Sequence, residues 1–273
     1  MNDMPEMLWL DTVDSTSARL HRLESECDLP HGYAVAAYEQ TAGRGQRGNH
    51  WHVEPGANAT VSVYLRPTAI SAALQFDLLR MVALAVCEVL DGYLPEDMRG
   101  RLRLKWPNDI YFDNDKMGGI LIENSLYGNR LGASVVGIGV NVRQRRWAGG
   151  APNATSLALV RGCADRDLPE PREVCRAIAA ACAAASAGEY DADILRTRYM
   201  ARLWRGDGKV YRWLPGPLPS TYCGQPAGAL PFEAAITGVT DDGRLHYEKP
   251  GRTRLCGICL NVHSPYSRAA MRR

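Results

Sequence analysis

Residues 102–141 read LRLKWPNDIYFDNDKMGGILIENSLYGNRLGASVVGIGVN. Three runs in this stretch, 102–106, 120–123 and 134–140, have the short, apolar, β-branched character of strands. The pieces between them carry turn chemistry, Asp113-Asn114-Asp115 and Tyr127-Gly128-Asn129. They are too short for the crossover that parallel strands need, so the three runs are expected to lie antiparallel in one sheet.

Working outward, the first half alternates strand-like and helix-like stretches, which together with the antiparallel runs predicts an α+β fold. A strand ending near Leu10 feeds a helix over 17–26, capped by Asp14-Ser15-Thr16, with Leu20 and Leu23 on one face. Strands follow at 33–40 and 60–65. Leu74, Leu78, Met81, Val82, Ala85 and Val89 recur at helical spacing and form the core stripe of a second helix. Two more helices are expected at 172–187 and 191–204. Composition changes near Trp204, where Pro215, Pro217, Pro219, Pro226 and Pro231 precede strand-like runs at 232–239, 244–248 and 253–262. The chain thus divides into 1–204, a small β-barrel at 205–265, and a disordered basic tail at 266–273.

Overall charge excludes little: 32 basic and 30 acidic side chains leave a net +2, so any anion site must be local. The first ten residues lack the basic and apolar regions of a secretory signal, and no apolar run reaches membrane-spanning length, so a cytoplasmic location is expected. Eight cysteines show no framework spacing. Cys256-Gly-Ile-Cys259 has ligand spacing, with Cys223 as a remote third candidate, but reads better as packing than as zinc.

Two polar, glycine-rich loops, 41–59 and 143–152, are long for a compact domain, as functional loops often are. The first contains Gly43-Arg-Gly-Gln-Arg-Gly48, which fits the letters of a dinucleotide fingerprint. The following Asn49-His-Trp-His-Val-Glu-Pro55-Gly56 cannot open the helix that this fingerprint requires, and Asn49 stands where a Walker loop needs lysine. What remains is a loop whose backbone and two guanidinium groups, Arg44 and Arg47, suit a carboxylate and a phosphate, or a solvated surface loop. Lys105-Trp-Pro-Asn-Asp109 ends a strand with a lysine, an amide and a carboxylate, suited to phosphate and Mg²⁺ or simply to a turn. In Lys116-Met-Gly-Gly-Ile-Leu-Ile-Glu123 two glycines let a ligand lie on the backbone below a lysine, or the lysine is simply solvated in a turn. Gly137-Ile-Gly-Val-Asn141 closes a strand with an amide able to read an adenine or ribose edge, or merely to cap the strand.

Together with Asp14-Ser-Thr-Ser17 and Gln40-Thr-Ala before Gly43, and with Trp51, these motifs occur in the order and spacing of the biotin–protein ligases, which the chain resembles over residues 11–142. The resemblance implies a mixed sheet with helices like the class II aminoacyl-tRNA synthetase catalytic domain, and an SH3-like C-terminal barrel. It implies ATP, Mg²⁺ and biotin as reactants, a biotinyl-adenylate intermediate, and a lysine of a biotin carboxyl carrier protein as acceptor. Ser15, Thr16, Ser17, Gln40, Gly43, Arg44, Lys116, Gly118 and Gly119 are then the biotin pocket. Gln46, Arg47, Trp51, Lys105, Asn108, Asp109, Lys116 and Asn141 hold ATP, Asp109 the metal, and Lys116, Arg44 and Arg47 act in catalysis. Trp51 stacks on adenine in this reading, and is a packing tryptophan in the plainer one. Both loops are expected to order over the ligand. A type without an N-terminal DNA-binding module is expected, as a monomer or weak homodimer that binds no operator DNA. Lipoate–protein ligases are the nearest alternative, but their arginine-and-triple-glycine signature is absent, and a non-catalytic binding module is a further one.

Gln46 departs from the pattern, which has an arginine there that helps to retain the adenylate. Gln46→Arg should therefore slow release of biotinyl-adenylate in a rapid-filtration assay. Equal release from the two proteins removes the retention argument.

Overall fold

The computed structural model describes residues 6–46, 49–147, 153–215, 231–250 and 262–263. Strands β1 (Met7–Val13) and β2 (Ala34–Gln40) pair in parallel and are joined by helix α1 (Thr16–Glu26). The chain continues through β3 (Asn58–Leu65), helix α2 (Phe76–Gly92), β4 (Leu102–Lys105), β5 (Asp109–Phe112), β6 (Asp115–Tyr127) and β7 (Arg130–Asn141). Helices α3 (Leu157–Arg161), α4 (Pro171–Ala185) and α5 (Ala192–Arg202) follow. One seven-stranded sheet has the order β1-β2-β3-β7-β6-β5-β4, antiparallel except between β1 and β2.

The stretch 102–141 thus holds four strands rather than three. The additional one, β5, turns straight back from the Lys105-Trp-Pro-Asn-Asp109 corner, and its short Ile110-Tyr-Phe112 run lies between two turn-rich links that hide it. β6 runs well past its apolar segment because β7 pairs with it as far as Tyr127, although its outer end is exposed. Ladder hydrogen bonds extend a strand where side-chain burial no longer does.

Alternation sorts the sheet's side chains onto two covered faces. Leu20 of α1 and Leu29 pack on Val35, Tyr64 and Val135 on one face. The other face, including Ala36, Val61, Val63 and Ile138, belongs to a larger core with Leu78 and Val82 of α2 and Val174 and Ile178 of α4. Every residue of β3 is buried, as expected of a strand covered on both sides. Among the described residues, no helix is long and apolar enough to cross a membrane.

β8 (Tyr211–Pro215), β9 (Phe232–Val239), β10 (Leu245–Glu248) and β11 (Val262–His263) form a four-stranded antiparallel sheet in the order β10-β9-β8-β11. Two of the three expected strands match, β8 is additional, and most of the third run, 253–261, lies outside the described residues, as do Cys223, Cys256, Cys259 and the tail. Trp213, Ala234, Ile236, Leu245 and Tyr247 of this sheet share the larger core.

Arg80 of α2, 1% exposed, bonds the two sheets' surroundings together. Its guanidinium pairs with buried Asp77, donates to the Val239 and Thr240 carbonyls at 2.9 and 2.8 Å, and lies over the Phe76 ring. Tyr190 donates to the second Asp77 oxygen at 2.8 Å. Removing one member of a buried pair leaves a lone charge, so Arg80→Ala should lower unfolding free energy by about 3–5 kcal/mol in urea titration. Asp77→Asn combined with Arg80→Met should recover part of that loss. A loss below about 1 kcal/mol in Arg80→Ala overturns this account of the joint.

Candidate active site

Register builds the site before any side chain does. Lys105 pairs with Asp109, Asp109 with Gly119, Gly119 with Gly139, and Gly139 with Thr60, giving one row across β4, β5, β6, β7 and β3. In the neighbouring row Leu121, Gly137, Ser62 and Val35 face one another in turn. Directly opposed residues share a face, here the α1 side of the sheet, so the middle of that face carries glycines and small hydroxyls.

The α1 N-terminus closes one end. Extended Ser15 caps the helix, its hydroxyl accepting from the Ala18 amide. Asp14 accepts from the Ser15 amide at 2.8 Å and is clasped by both Arg22 amino groups, which hold its carboxyl down at about pH 2. Gln40 Oε1 accepts from the amide and hydroxyl of Thr16 at 2.8 and 3.0 Å. The Thr16 and Ser17 hydroxyls both meet Ser62 Oγ, at 2.8 and 2.9 Å. Thr16, Ser17 and Ser62 are buried, so their hydroxyls are shielded from bulk water and satisfy one another. Ser62 escaped the sequence reading. Its only signal is a hydroxyl within the otherwise apolar 61–65 run.

The anionic end lies across the glycines. Lys116 Nζ sits 2.7 Å from Asp109 Oδ1, and both face the open side of Gly119 at 3.7–3.8 Å from where a side chain would begin. The Lys116 backbone is pinned by bonds to Asn153 and Thr155. Trp51 lies against Gly139 so closely that a methyl group there would fall 2.3 Å from the indole, and its ring centre is 5.7 Å from Lys116 Nζ. At Gly43 a side chain would collide with the Trp51 carbonyl at 2.5 Å and approach the Gln40 amide at 3.0 Å. Gln40, Gly43, Trp51, Lys116 and Asp109 therefore follow one another in one contiguous patch over the glycines. Trp51 Nε1 and Asn141 Oδ1 are buried there without a hydrogen-bond partner, while Asn141 Nδ2 donates to the Thr155 carbonyl at 2.9 Å.

Lys105 occupies the far end of the row. Its ammonium donates to the Tyr111 hydroxyl at 2.8 Å and lies 5.4 Å from the Trp204 ring centre. Burial pushes it down to about 8; Asp109 opposes the shift, and Lys116 and Arg205 add to it. The same burial raises the Tyr111 phenol, whose oxygen also accepts from Asn153 at 3.0 Å. Tyr111 follows Asp109 by two positions in the strand, a signal legible only once β5 is recognised. Asn153 had none.

Two expected ligand groups are engaged elsewhere. Asn108 donates to the Ile120 carbonyl at 2.6 Å and accepts the Ile120 amide through its backbone, so it shapes the β5–β6 corner. Arg44 is held by Glu123 at 2.8 Å, an oxygen shared with His21 at 3.2 Å. Gln46 belongs to a turn in which its carbonyl accepts from Asn49. Arg47 lies outside the described residues, as do 148–152 of the second loop. Among the described residues no group of three or more His, Cys, Asp or Glu side chains could hold a metal.

Residues 9–141 match the model of the Biotin/lipoate A/B protein ligase family. Among curated proteins, the chain is 40% identical over 157 residues to a biotin–[acetyl-CoA-carboxylase] ligase of Paracoccus denitrificans, covering 56% of this chain and 62% of that protein. It is 35% identical over 141 residues to the bifunctional ligase/repressor BirA of Bacillus subtilis, covering 51% and 41% respectively. The chain thus spans roughly half the length of these relatives. The biotin protein ligase of Aquifex aeolicus, solved with biotin and ATP, superposes with a TM-score of 0.67 at 25% identity over 92% of this chain and 95% of that one. The mixed sheet accordingly has the fold of the biotin protein ligases, and residues 9–141 carry the match to the biotin/lipoate A/B protein ligase family.

Proposed function

We propose that this chain is an ATP-dependent biotin–protein ligase. The observation that carries the reading is one contiguous patch of the sheet, in which the Thr16–Gln40–Ser62 hydroxyl and amide cluster, Trp51 and the Lys116–Asp109 pair border the same glycines. A carboxylic acid joins an amine at neutral pH only through a leaving group. In this reading a biotin carboxylate oxygen attacks the α-phosphorus of ATP and pyrophosphate departs. A lysine amine of a biotin carboxyl carrier protein then attacks the acyl carbon, expelling AMP and losing a proton. The name of the Paracoccus denitrificans relative, a biotin–[acetyl-CoA-carboxylase] ligase, supports biotin rather than lipoate as the acid. A cytoplasmic setting, and a monomer or weak homodimer, complete the reading.

Ser15, Thr16, Ser17, Gln40 and Gly43 would hold the ureido ring, and Gly118 and Gly119 the chain of biotin beneath Lys116. Two anions must approach each other, and Lys116, Arg44 and Arg47 would offset their repulsion and the charge that develops on the α-phosphate. Trp51 offers its face to adenine and Asn141 its unpartnered oxygen to an exocyclic amine, with Gln46 and Lys105 toward the phosphates. Asn108 would act by holding the corner that positions Asp109. Asp109 is a single carboxylate already paired with Lys116, which suits a Mg²⁺ carried in on ATP phosphates rather than a resident ion. That ion supplies charge neutralisation when bound.

The test is pyrophosphate exchange into ATP, expected with biotin and not with lipoate, followed by labelling of a carrier domain. Lys116→Ala should lower exchange by about 100-fold or more, the scale of one lost transition-state donor. Exchange undiminished in that variant sinks the role of Lys116, and none with biotin sinks the reading. Lys105 adds a pH dependence. Its ammonium is charged below about 8 and loses its proton above, so the KM for ATP should rise as pH climbs through 8 and stay flat in Lys105→Arg. A flat profile in the unaltered protein contradicts the assignment.

A further inference from the structure

Gln144 is 6% exposed although it sits in a polar, arginine-rich segment just past β7. Burying an amide is unfavourable unless its groups find partners, and here they do. Its oxygen accepts from the Glu54 backbone amide at 3.2 Å and from the Asn58 side chain. Its nitrogen donates to the Arg146 carbonyl at 2.9 Å. Asn58 returns the contact by accepting the Val142 amide at 3.1 Å, and the Arg143 amide donates to the Ala57 carbonyl at 2.7 Å. One buried side chain therefore ties the end of the first glycine-rich loop to the start of the second. Trp51 precedes Glu54 by three residues, and Asn141 precedes Gln144 by three. These are the residues whose buried polar atoms, Trp51 Nε1 and Asn141 Oδ1, stand unpartnered.

We infer that Gln144 is a positioning residue that holds the Trp51 and Asn141 segments together as one nucleotide clamp. The inference rests on the ligase reading above and adds to it a residue that shapes the site from outside. Without Gln144 the Arg143–Ala57 and Val142–Asn58 bonds remain, but the Glu54 amide, and with it the 51–54 segment, loses its side-chain tie to the segment that follows Asn141. Nucleotide binding then has to order both segments at once, which weakens affinity without touching the biotin end.

The experiment compares Gln144→Leu, which removes both functions of the amide, with Gln144→Glu, which keeps an acceptor for Glu54 and Asn58. In Gln144→Leu the KM for ATP should rise roughly tenfold, about the factor set by one lost buried hydrogen bond, while the KM for biotin stays within about twofold. Gln144→Glu should recover most of the loss. Hydrogen exchange of the ligand-free proteins supplies the readout independent of activity: the Glu54 amide should lose protection in Gln144→Leu and regain it in Gln144→Glu. An unchanged KM for ATP, equal rises for ATP and biotin, or unchanged Glu54 protection overturns the clamp. If the unaltered protein shows no biotin-dependent exchange, the ligase reading fails first. The amide-exchange comparison then still decides whether Gln144 couples the two loops.

Discussion

The register shared by β3, β7, β6 and β5 is the constraint on which the site depends. Because side chains alternate across a strand, a slip of one residue that carries β7 and β3 past β6 would move Gly139 away from Gly119 and turn Val140 onto the α1 face. The slip is opposed from the other face, where Val61, Val63 and Ile138 are buried in the larger core and would be driven out toward α1. Each such side chain is worth about 1.5–3 kcal/mol in burial. The bare strip of glycines is therefore held in place by the packing beneath it.

On that strip the cations stand beside carboxylates, Lys116 with Asp109 and Arg44 with Glu123. Both pairs are partly exposed, and such pairs contribute only about 0–1 kcal/mol. They orient the cations without binding them firmly. A ligand carboxylate or phosphate offers stronger, charge-assisted bonds at a site that its own arrival dries, so exchange of partner is favourable. Asp14 differs: two guanidinium bonds and a backbone amide commit it to Arg22, and its work is to hold the turn that presents Ser15 and Thr16.

Much of this was legible in the sequence because its signals are local. Ser15 as a cap, the α2 stripe from Leu78 to Val89 and the glycines beside Lys116 each follow from a few adjacent residues. The rest is set by contacts distant in the chain. Ser62 gains meaning only when Thr16 and Ser17 arrive above it, and Gln144 only when Asn58 and Glu54 enclose it. β5 was hidden because a strand of four residues between two turns has too short a pattern for periodicity to register. The structural tie of Asn108 was hidden for a related reason. An amide beside a carboxylate suggests a ligand set, and nothing in its neighbours shows that the Ile120 carbonyl claims it.

The second sheet reaches the candidate site through Lys105. β4 is the edge of the large sheet, and the Trp204 amide caps it by donating to the Leu104 carbonyl at 2.9 Å. The Trp204 indole then covers Lys105, and is itself steadied by an edge contact with Trp213, whose Nε1 donates to the Ala234 carbonyl. Removing water from around an ammonium lowers its pKa, and burial is the largest cause of the shift to about 8 at Lys105, ahead of Asp109 and Lys116. A cation with so little hydration has less to lose on meeting phosphate than one in open water. The small sheet thus prepares the far end of the row that begins at Thr60, although none of its own strands enters that row.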